Sequence, residues 1–143
     1  MSQSEVIVRL AAKGDGVTQS GRHVKGAVPG DTVHADGSIE AGPHRIQPPC
    51  QHFGACGGCQ LQNANEETLR AFVNDRVVNA AKGQGIEASR LLDTHLSPPS
   101  SRRRATLHAA RGKKGAALGF RAAGSHRIVD LAQCHILAPE LAE

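Results

Sequence analysis

The chain has 143 residues, 39% of them apolar, with three aromatics (Phe53, Phe72 and Phe120) and neither Trp nor Tyr, so any core rests on Val, Leu, Ile and Ala and will be thin. Sixteen Gly and seven Pro argue against a coiled coil or long helical bundle, no apolar run reaches the roughly 18 residues of a membrane span, and the opening Met-Ser-Gln-Ser-Glu lacks the basic and apolar regions of a secretory signal, which leaves a cytoplasmic protein as the expectation; a monomer is expected as well. The net charge of +4 is concentrated in residues 101–129, which carry Arg102, Arg103, Arg104, Arg111, Lys113, Lys114, Arg121 and Arg127 and no Asp or Glu, a pattern that suits a polyanion because each cation meeting a phosphate releases a counterion.

Residues 5–46 read as β structure. Val6, Val8 and Leu10 alternate with Ile7 and Arg9, and Val24–Val28 and Thr32–Ala35 are short runs of the same kind. Turn signals separate them at Gly14-Asp15-Gly16, Ser20-Gly21, Pro29-Gly30-Asp31 and Asp36-Gly37, the spacing of a small antiparallel barrel or meander. Residues 47–63 read as a loop. A helix follows, with Asn65 as N-cap and Glu66 and Glu67 at its positive end. Leu69, Phe72, Val73, Val77 and Ala80 form one stripe at helical spacing, expected to face the core, and Gly83 and Gly85 end the helix.

Ser97-Pro98-Pro99-Ser100 breaks the chain. Three β-like runs follow, Ala105–Ala110, Ala116–Arg121 and Arg127–Leu131, with Gly112-Lys113-Lys114-Gly115 as a hairpin turn. Arg102, Arg103 and Arg104 then lead into a strand, where Arg102 and Arg104 share one face. They could meet RNA phosphates, with Lys113 and Lys114 as a rim, or pair with Glu66, Glu67 or Asp130. The last residues read as the onset of another helix, as in a piece of something longer. The expected class is α+β, divided into a β domain over 1–46 and a second domain over 47–143 with one amphipathic helix and an antiparallel β-rich region.

The cysteines carry the strongest chemical signal. Cys50, Cys56 and Cys59 form C-x5-C-x2-C, and Cys134 follows after 74 intervening residues. Gly54, Gly57 and Gly58 let the backbone wrap tightly and turn amide N–H groups toward sulfur. A turn with three thiols and a fourth from a distant strand makes a complete soft donor set, suited to an iron–sulfur cluster or to Zn²⁺. Spacing alone leaves both open. A thioredoxin-like pair lacks its preceding apolar strand, and disulfides do not suit a chain without a secretory signal.

The segment Cys50-Gln-His-Phe-Gly-Ala-Cys56-Gly-Gly-Cys59-Gln-Leu-Gln resembles the cluster-binding segment of the uracil-5 RNA methyltransferases, most of all those of the RumA type acting on 23S rRNA. Ser97–Arg104, Leu118–Arg121 and Ser125–Cys134 resemble the Arg-bearing strand and the hairpin that ends in the fourth ligand. Leu10–Val17 and Gly26–Asp31 are similar to a TRAM domain. The resemblance implies a shortened OB-like β-barrel over 1–46 and a [4Fe–4S] cluster on Cys50, Cys56, Cys59 and Cys134, with Zn²⁺ as the alternative. It implies RNA, most of all rRNA, as partner, no membrane, and formation of 5-methyluridine. In the family, S-adenosylmethionine, the Cys that attacks uracil C6 and the Glu that removes the C5 proton belong to a Rossmann-like domain C-terminal to all residues matched here. No catalytic residue is therefore assigned, and these 143 residues alone are expected to transfer no methyl group. A stand-alone cluster- or zinc-bearing RNA-binding module, or a redox-sensing adaptor, are the competing readings.

Overall fold

The structure, a computed structural model, describes residues 4–112 and 115–142; Lys113 and Lys114 lie outside the described residues. The chain gathers into two compact units interleaved along the sequence. One unit takes the residues up to Ile46 together with Asn63–Leu96, and the other takes Gln47–Gln62 with the residues from Ser97 onward. The helical segment thus gathers with the first strands, whereas the sequence pattern groups it with the cysteine loop. Hydrogen bonds explain the grouping. Ile46 N–H donates to the Asn63 carbonyl at 2.9 Å, and Asn65 N–H to that of His44 at 2.9 Å. The buried Asn63 side chain donates to the Gly26 carbonyl at 2.8 Å, so the chain rejoins the first unit where it left it.

The first unit holds a five-stranded antiparallel sheet. Its strands are β1 (Glu5–Leu10), β2 (Gly16–Thr18), β3 (His23–Val24), β4 (Thr32–Val33) and β5 (Ile39–Glu40), in the order β3-β2-β1-β4-β5. The connecting turns fall at the expected glycines, and Gly14, Gly21, Gly30 and Gly37 all hold φ between 86° and 90°, a region other residues seldom adopt. The alternation in β1 is present, but its buried member is Ile7, while Val6 and Val8 are 51% and 53% exposed. The pairing register with β2 shifts between Ile7 and Arg9. The expected run Val24–Val28 ends as a strand at Val24, yet Ala27 and Val28 are fully buried. Ile7, Ala27 and Val33 with Val24 form the hydrophobic cluster, a core without an aromatic ring.

Beside it lies a buried ion pair. Asp31 is fully buried and accepts from the N–H groups of Val28 at 2.7 Å and Gly42 at 2.9 Å. Arg45 donates to both of its oxygens, Nε at 3.1 Å and Nη2 at 2.6 Å, and also to the Gly26 carbonyl at 2.9 Å. Burial alone would raise the Asp31 pKa. The bond to Arg45, the two backbone N–H groups and the Arg45 charge outweigh it and hold the carboxyl below its ordinary value of 3.8.

Helix α1 spans Glu66–Gly83, and the Asn65 side chain caps it by accepting from Thr68 N–H at 3.0 Å. At its far end Ile86 N–H reaches the Ala81 carbonyl at 3.0 Å and Gly85 N–H that of Lys82 at 2.9 Å, with Gly85 at φ 69°, a glycine-terminated helix. The stripe expected to be core is not. Thr68 is the helix's one buried residue, Phe72 is half-buried, and Val73 and Val77 are 39% and 65% exposed. The unit's small core closes on the sheet, and the helix is tied to it through the polar contacts of Asn63, Asn65 and His44.

In the second unit, β6 (His108–Gly112), β7 (Gly115–Arg121) and β8 (Ile128–Asp130) form an antiparallel sheet in chain order, followed by α2 (Pro139–Ala142). Gly112 opposes Gly115 in the register, as a hairpin there requires. The expected strand through Arg102–Arg104 does not form. Only Arg102 pairs, in a single parallel bridge with Leu137, through N–H to the Ile136 carbonyl and a carbonyl that accepts from Ala138 N–H, both 2.9 Å. The Pro-Pro break precedes it, with Ser100 at φ 56°, and the ladder starts at His108. The shared face of Arg102 and Arg104 therefore has no basis in strand alternation. Among the described residues no helix is long and apolar enough to cross a membrane.

Candidate metal centre

The cysteine segment lies wholly in the second unit and is held by its own backbone. Ala55 and Cys56 N–H both donate to the His52 carbonyl, at 3.2 and 2.9 Å. Cys56 then pairs with Ala122 just past β7, flanked by Gly57 N–H to the Arg121 carbonyl at 2.8 Å and Ala123 N–H to the Ala55 carbonyl at 3.3 Å. This pairing demands glycine at position 57, because a Cβ there would stand 2.7 Å from the Arg121 oxygen. Gly58 N–H points at sulfur, donating to Cys56 Sγ at 3.4 Å.

Cys134 sits four residues beyond β8, in an irregular segment instead of the expected strand. That segment is fixed on both sides. Ser100 N–H donates to the His135 carbonyl at 2.8 Å, and Ala132 N–H donates to Nε2 of His52 at 3.2 Å. The His52 ring therefore links the Cys50–Cys59 loop directly to the approach to Cys134.

All four cysteines are half-buried free thiols and line a single cavity. Phe53, Phe120, Leu131 and Ile136 supply apolar wall, and His52, Gln62 and Arg102 also border it. Two of the chain's three aromatic residues are thus used around the thiols. Burial pushes the Cys59 thiol pKa up, and Cys134, Cys56 and Cys50 press in the same direction by like charge. The Gln62 carboxamide acts the other way. The donor set fits a soft metal group: four thiols, a largely apolar enclosure and an N–H aimed at one sulfur. Among the described residues, no three His, Cys, Asp or Glu side chains are placed to hold a single metal ion.

The basic residues of this unit are placed differently. Arg102, Arg103, Arg104, Arg111, Arg121 and Arg127 are exposed, and among the described residues none of them forms an ion pair. Of the alternative partners, Glu66 pairs with Arg70, and Asp130 accepts from Leu118 N–H at 2.9 Å. Lys113 and Lys114 lie outside the described residues. A larger cavity, about 610 Å³, lies in the first unit between β1 and α1 and includes Arg9, His44, Phe72 and Arg76; it contains none of the residues singled out from sequence as sites. Sequence reasoning also missed His52 and Gln62. Both stand inside the cysteine motif, and their only signal was that position.

No family model matches the chain. It is 46% identical over 135 residues to an uncharacterized RNA methyltransferase of Zymomonas mobilis, a match that covers 94% of this chain and 34% of that protein. A second uncharacterized RNA methyltransferase, from Rhizobium meliloti, is 37% identical over 160 residues, 97% of this chain and 38% of the relative. The 23S rRNA (uracil(1939)-C(5))-methyltransferase RlmD of Halomonas elongata is 37% identical over 158 residues, 95% of this chain and 32% of that protein. The chain spans about a third of the length of these curated relatives.

Proposed function

We propose, from the premise that this chain is a homologue of the RumA-type RNA methyltransferases over about a third of their length, that it supplies the cluster-bearing and RNA-contacting part of an enzyme that forms 5-methyluridine in 23S rRNA. The observation that carries the reading is the convergence of Cys50, Cys56, Cys59 and Cys134 on one cavity. Those four residues would hold a [4Fe–4S] cluster. When bound, the cluster supplies a redox-capable, net-anionic cross-link between distant parts of the chain. Phe53, Phe120, Leu131 and Ile136 limit water at the thiols, Gly58 N–H donates to Cys56, and His52 holds the segment that leads to Cys134. The five-stranded sheet of the first unit takes the part of the OB-like TRAM domain. Binding of S-adenosylmethionine and attack on uracil are assigned to sequence beyond the matched third of the relatives. A cytoplasmic setting belongs to the same reading.

Iron, acid-labile sulfide and zinc, measured per chain after anaerobic purification, test the cofactor. About four iron and four sulfide are expected. Stoichiometric zinc without sulfide keeps the ligands, removes the cluster and favours a zinc-bearing RNA-binding module.

The exposed arginines give the reading its second arm. Removing one arginine–phosphate interaction should reduce the slope of log affinity against log salt by about 0.7–0.9 for RNA of single- or double-stranded character. Single Gln substitutions at Arg102, Arg103 and Arg104, with RNA titrated at several salt concentrations, are expected to lower that slope and to leave metal content intact. An unchanged slope in all three would remove these residues from the RNA surface.

A further inference from the structure

The thiol cavity has one fixed charge on its border, and that charge is positive. Arg102 lines it together with the four cysteines, and among the described residues no Asp or Glu does so. Two polar neighbours are engaged elsewhere: Gln62 Oε1 accepts from Cys50 N–H at 3.3 Å, and His52 Nε2 accepts from Ala132 N–H at 3.2 Å. Arg102 is held in place by its backbone. Its N–H donates to the Ile136 carbonyl and its carbonyl accepts from Ala138 N–H, both at 2.9 Å, on either side of the buried Leu137. The residue is thus fixed against the segment that follows Cys134, yet it stays exposed and forms no ion pair among the described residues. Arg103, Arg104, Arg111, Arg121 and Arg127 are exposed too, and none of them borders the cavity.

We infer that Arg102 is a counter-charge shared by two anions, the four-thiolate metal group at the cavity and an RNA phosphate at the surface, so that each weakens the hold of the other on it. The inference rests on the metal-binding and RNA-binding reading above and deepens it into a coupling between the two. A metal group held by four thiolates is net anionic, and walls of Phe53, Phe120, Leu131 and Ile136 screen its charge less than water does. A guanidinium on the cavity border offsets that charge. For a cluster it favours the reduced form, which carries one more negative charge. The same group is a planar fork suited to phosphate. Phosphate bound there neutralises the cation that the metal group experiences and destabilises the reduced form. By linkage, reduction must weaken RNA binding by the same factor.

Three variants of the full chain isolate the charge. Arg102→Gln removes it, Arg102→Lys keeps it, and Arg104→Gln removes an equal charge from a residue that does not border the cavity. Each is reconstituted anaerobically with iron and sulfide. Two quantities are read: the reduction midpoint with and without a uridine-rich single-stranded RNA, and the RNA affinity of the oxidised and reduced forms. The parent is expected to bind RNA on the order of 5-fold more tightly when oxidised, the low end of the usual coupling between two sites. For one electron that corresponds to a midpoint about 40 mV lower with RNA bound. Arg102→Gln is expected to start from a more negative midpoint than Arg104→Gln and to shift less with RNA, and Arg102→Lys to stay close to the parent. Equal midpoints in the two Gln variants, or an RNA-induced shift as large in Arg102→Gln as in the parent, overturn the inference. If Arg102→Gln holds no cluster, Arg102→Lys and the parent decide: loss of the cluster in Arg102→Lys as well, or equal RNA affinity in both oxidation states of the parent, overturns it.

Failure of the parent chain to take up iron and sulfide sinks the cluster reading and not this one. The shared charge is then read from zinc. RNA is expected to speed zinc release to a chelator from the parent, and to do so less in Arg102→Gln, with equal parental rates in the presence and absence of RNA overturning it. A metal-loaded parent that binds no RNA at any salt concentration removes the second anion and overturns the inference outright.

Discussion

A chain carrying Cys134→Ser is expected to lose its stoichiometric iron and sulfide, although three of the four thiols stay in place. Those three come from one short loop, and only Cys134 brings a donor from a segment distant in sequence. A metal group held by all four closes a loop with 74 residues between Cys59 and Cys134. In chain-entropy terms, a cross-link over that span is worth about 4 kcal/mol of stability. After reconstitution the variant should therefore melt below the metal-loaded parent, while the two metal-free proteins melt nearly alike, since serine is close to cysteine in size. Element analysis together with melting curves of both forms checks it. Full iron and sulfide in Cys134→Ser would assign the fourth donor elsewhere.

Asp31→Asn is expected to destabilise the first unit by about 3 kcal/mol, within the range for breaking one partner of a buried ion pair. The carboxylate takes four hydrogen bonds, from Val28, Gly42 and twice from Arg45, and an amide cannot accept at all four positions. The pH dependence has a definite sign. The folded-state pKa lies below the ordinary 3.8, so the folded protein holds its proton less readily than the unfolded chain. The resulting stability is fully present above the unfolded value and is lost as pH falls through the lowered folded value. Hydrogen exchange at the Val28 and Gly42 amides reads the effect where it arises. The parent should lose protection between about pH 4 and lower values, and Asp31→Asn should show weak protection already at neutral pH. Unchanged exchange at both amides would mean that this pair does not hold the unit together.

The parts of the fold that could be read from sequence are those fixed by local chemistry. Gly14, Gly21, Gly30 and Gly37 mark turns because each adopts a left-handed φ. Asn65 marks the start of α1 because its side chain satisfies Thr68 N–H. The hairpin of β6 and β7 follows from a glycine at each end of its turn. Nonlocal packing decided the rest. Hydrophobic spacing on α1 is real, but a core of Ile7, Ala27 and Val33 is too small to cover Val73 and Val77. The strand expected at Arg102–Arg104 failed because its neighbour is the Ile136–Ala138 segment, which allows one bridge and no ladder. At the candidate centre the cysteines and the glycine loop stood out by spacing. Gln62 and His52 did not, because their roles depend on partners at Cys50 and Ala132, and a ring or an amide in a loop is far more often a surface group.

The interleaving of the two units also sets an order of events during synthesis. Residues up to Ile46 leave the ribosome first, then the loop with Cys50, Cys56 and Cys59, then the remainder of the first unit up to Leu96, and only afterwards the segment that carries Cys134. At about 5–20 residues per second, the interval between Cys59 and Cys134 lasts roughly 4–15 s. Throughout it the nascent chain displays three neighbouring thiols without their fourth partner and without the Phe120 and Ile136 wall, a state open to oxidation and to capture of stray soft metals. On the proposed reading, loading by all four thiols therefore waits until Cys134 has emerged, and the first unit can close its sheet and helix before then.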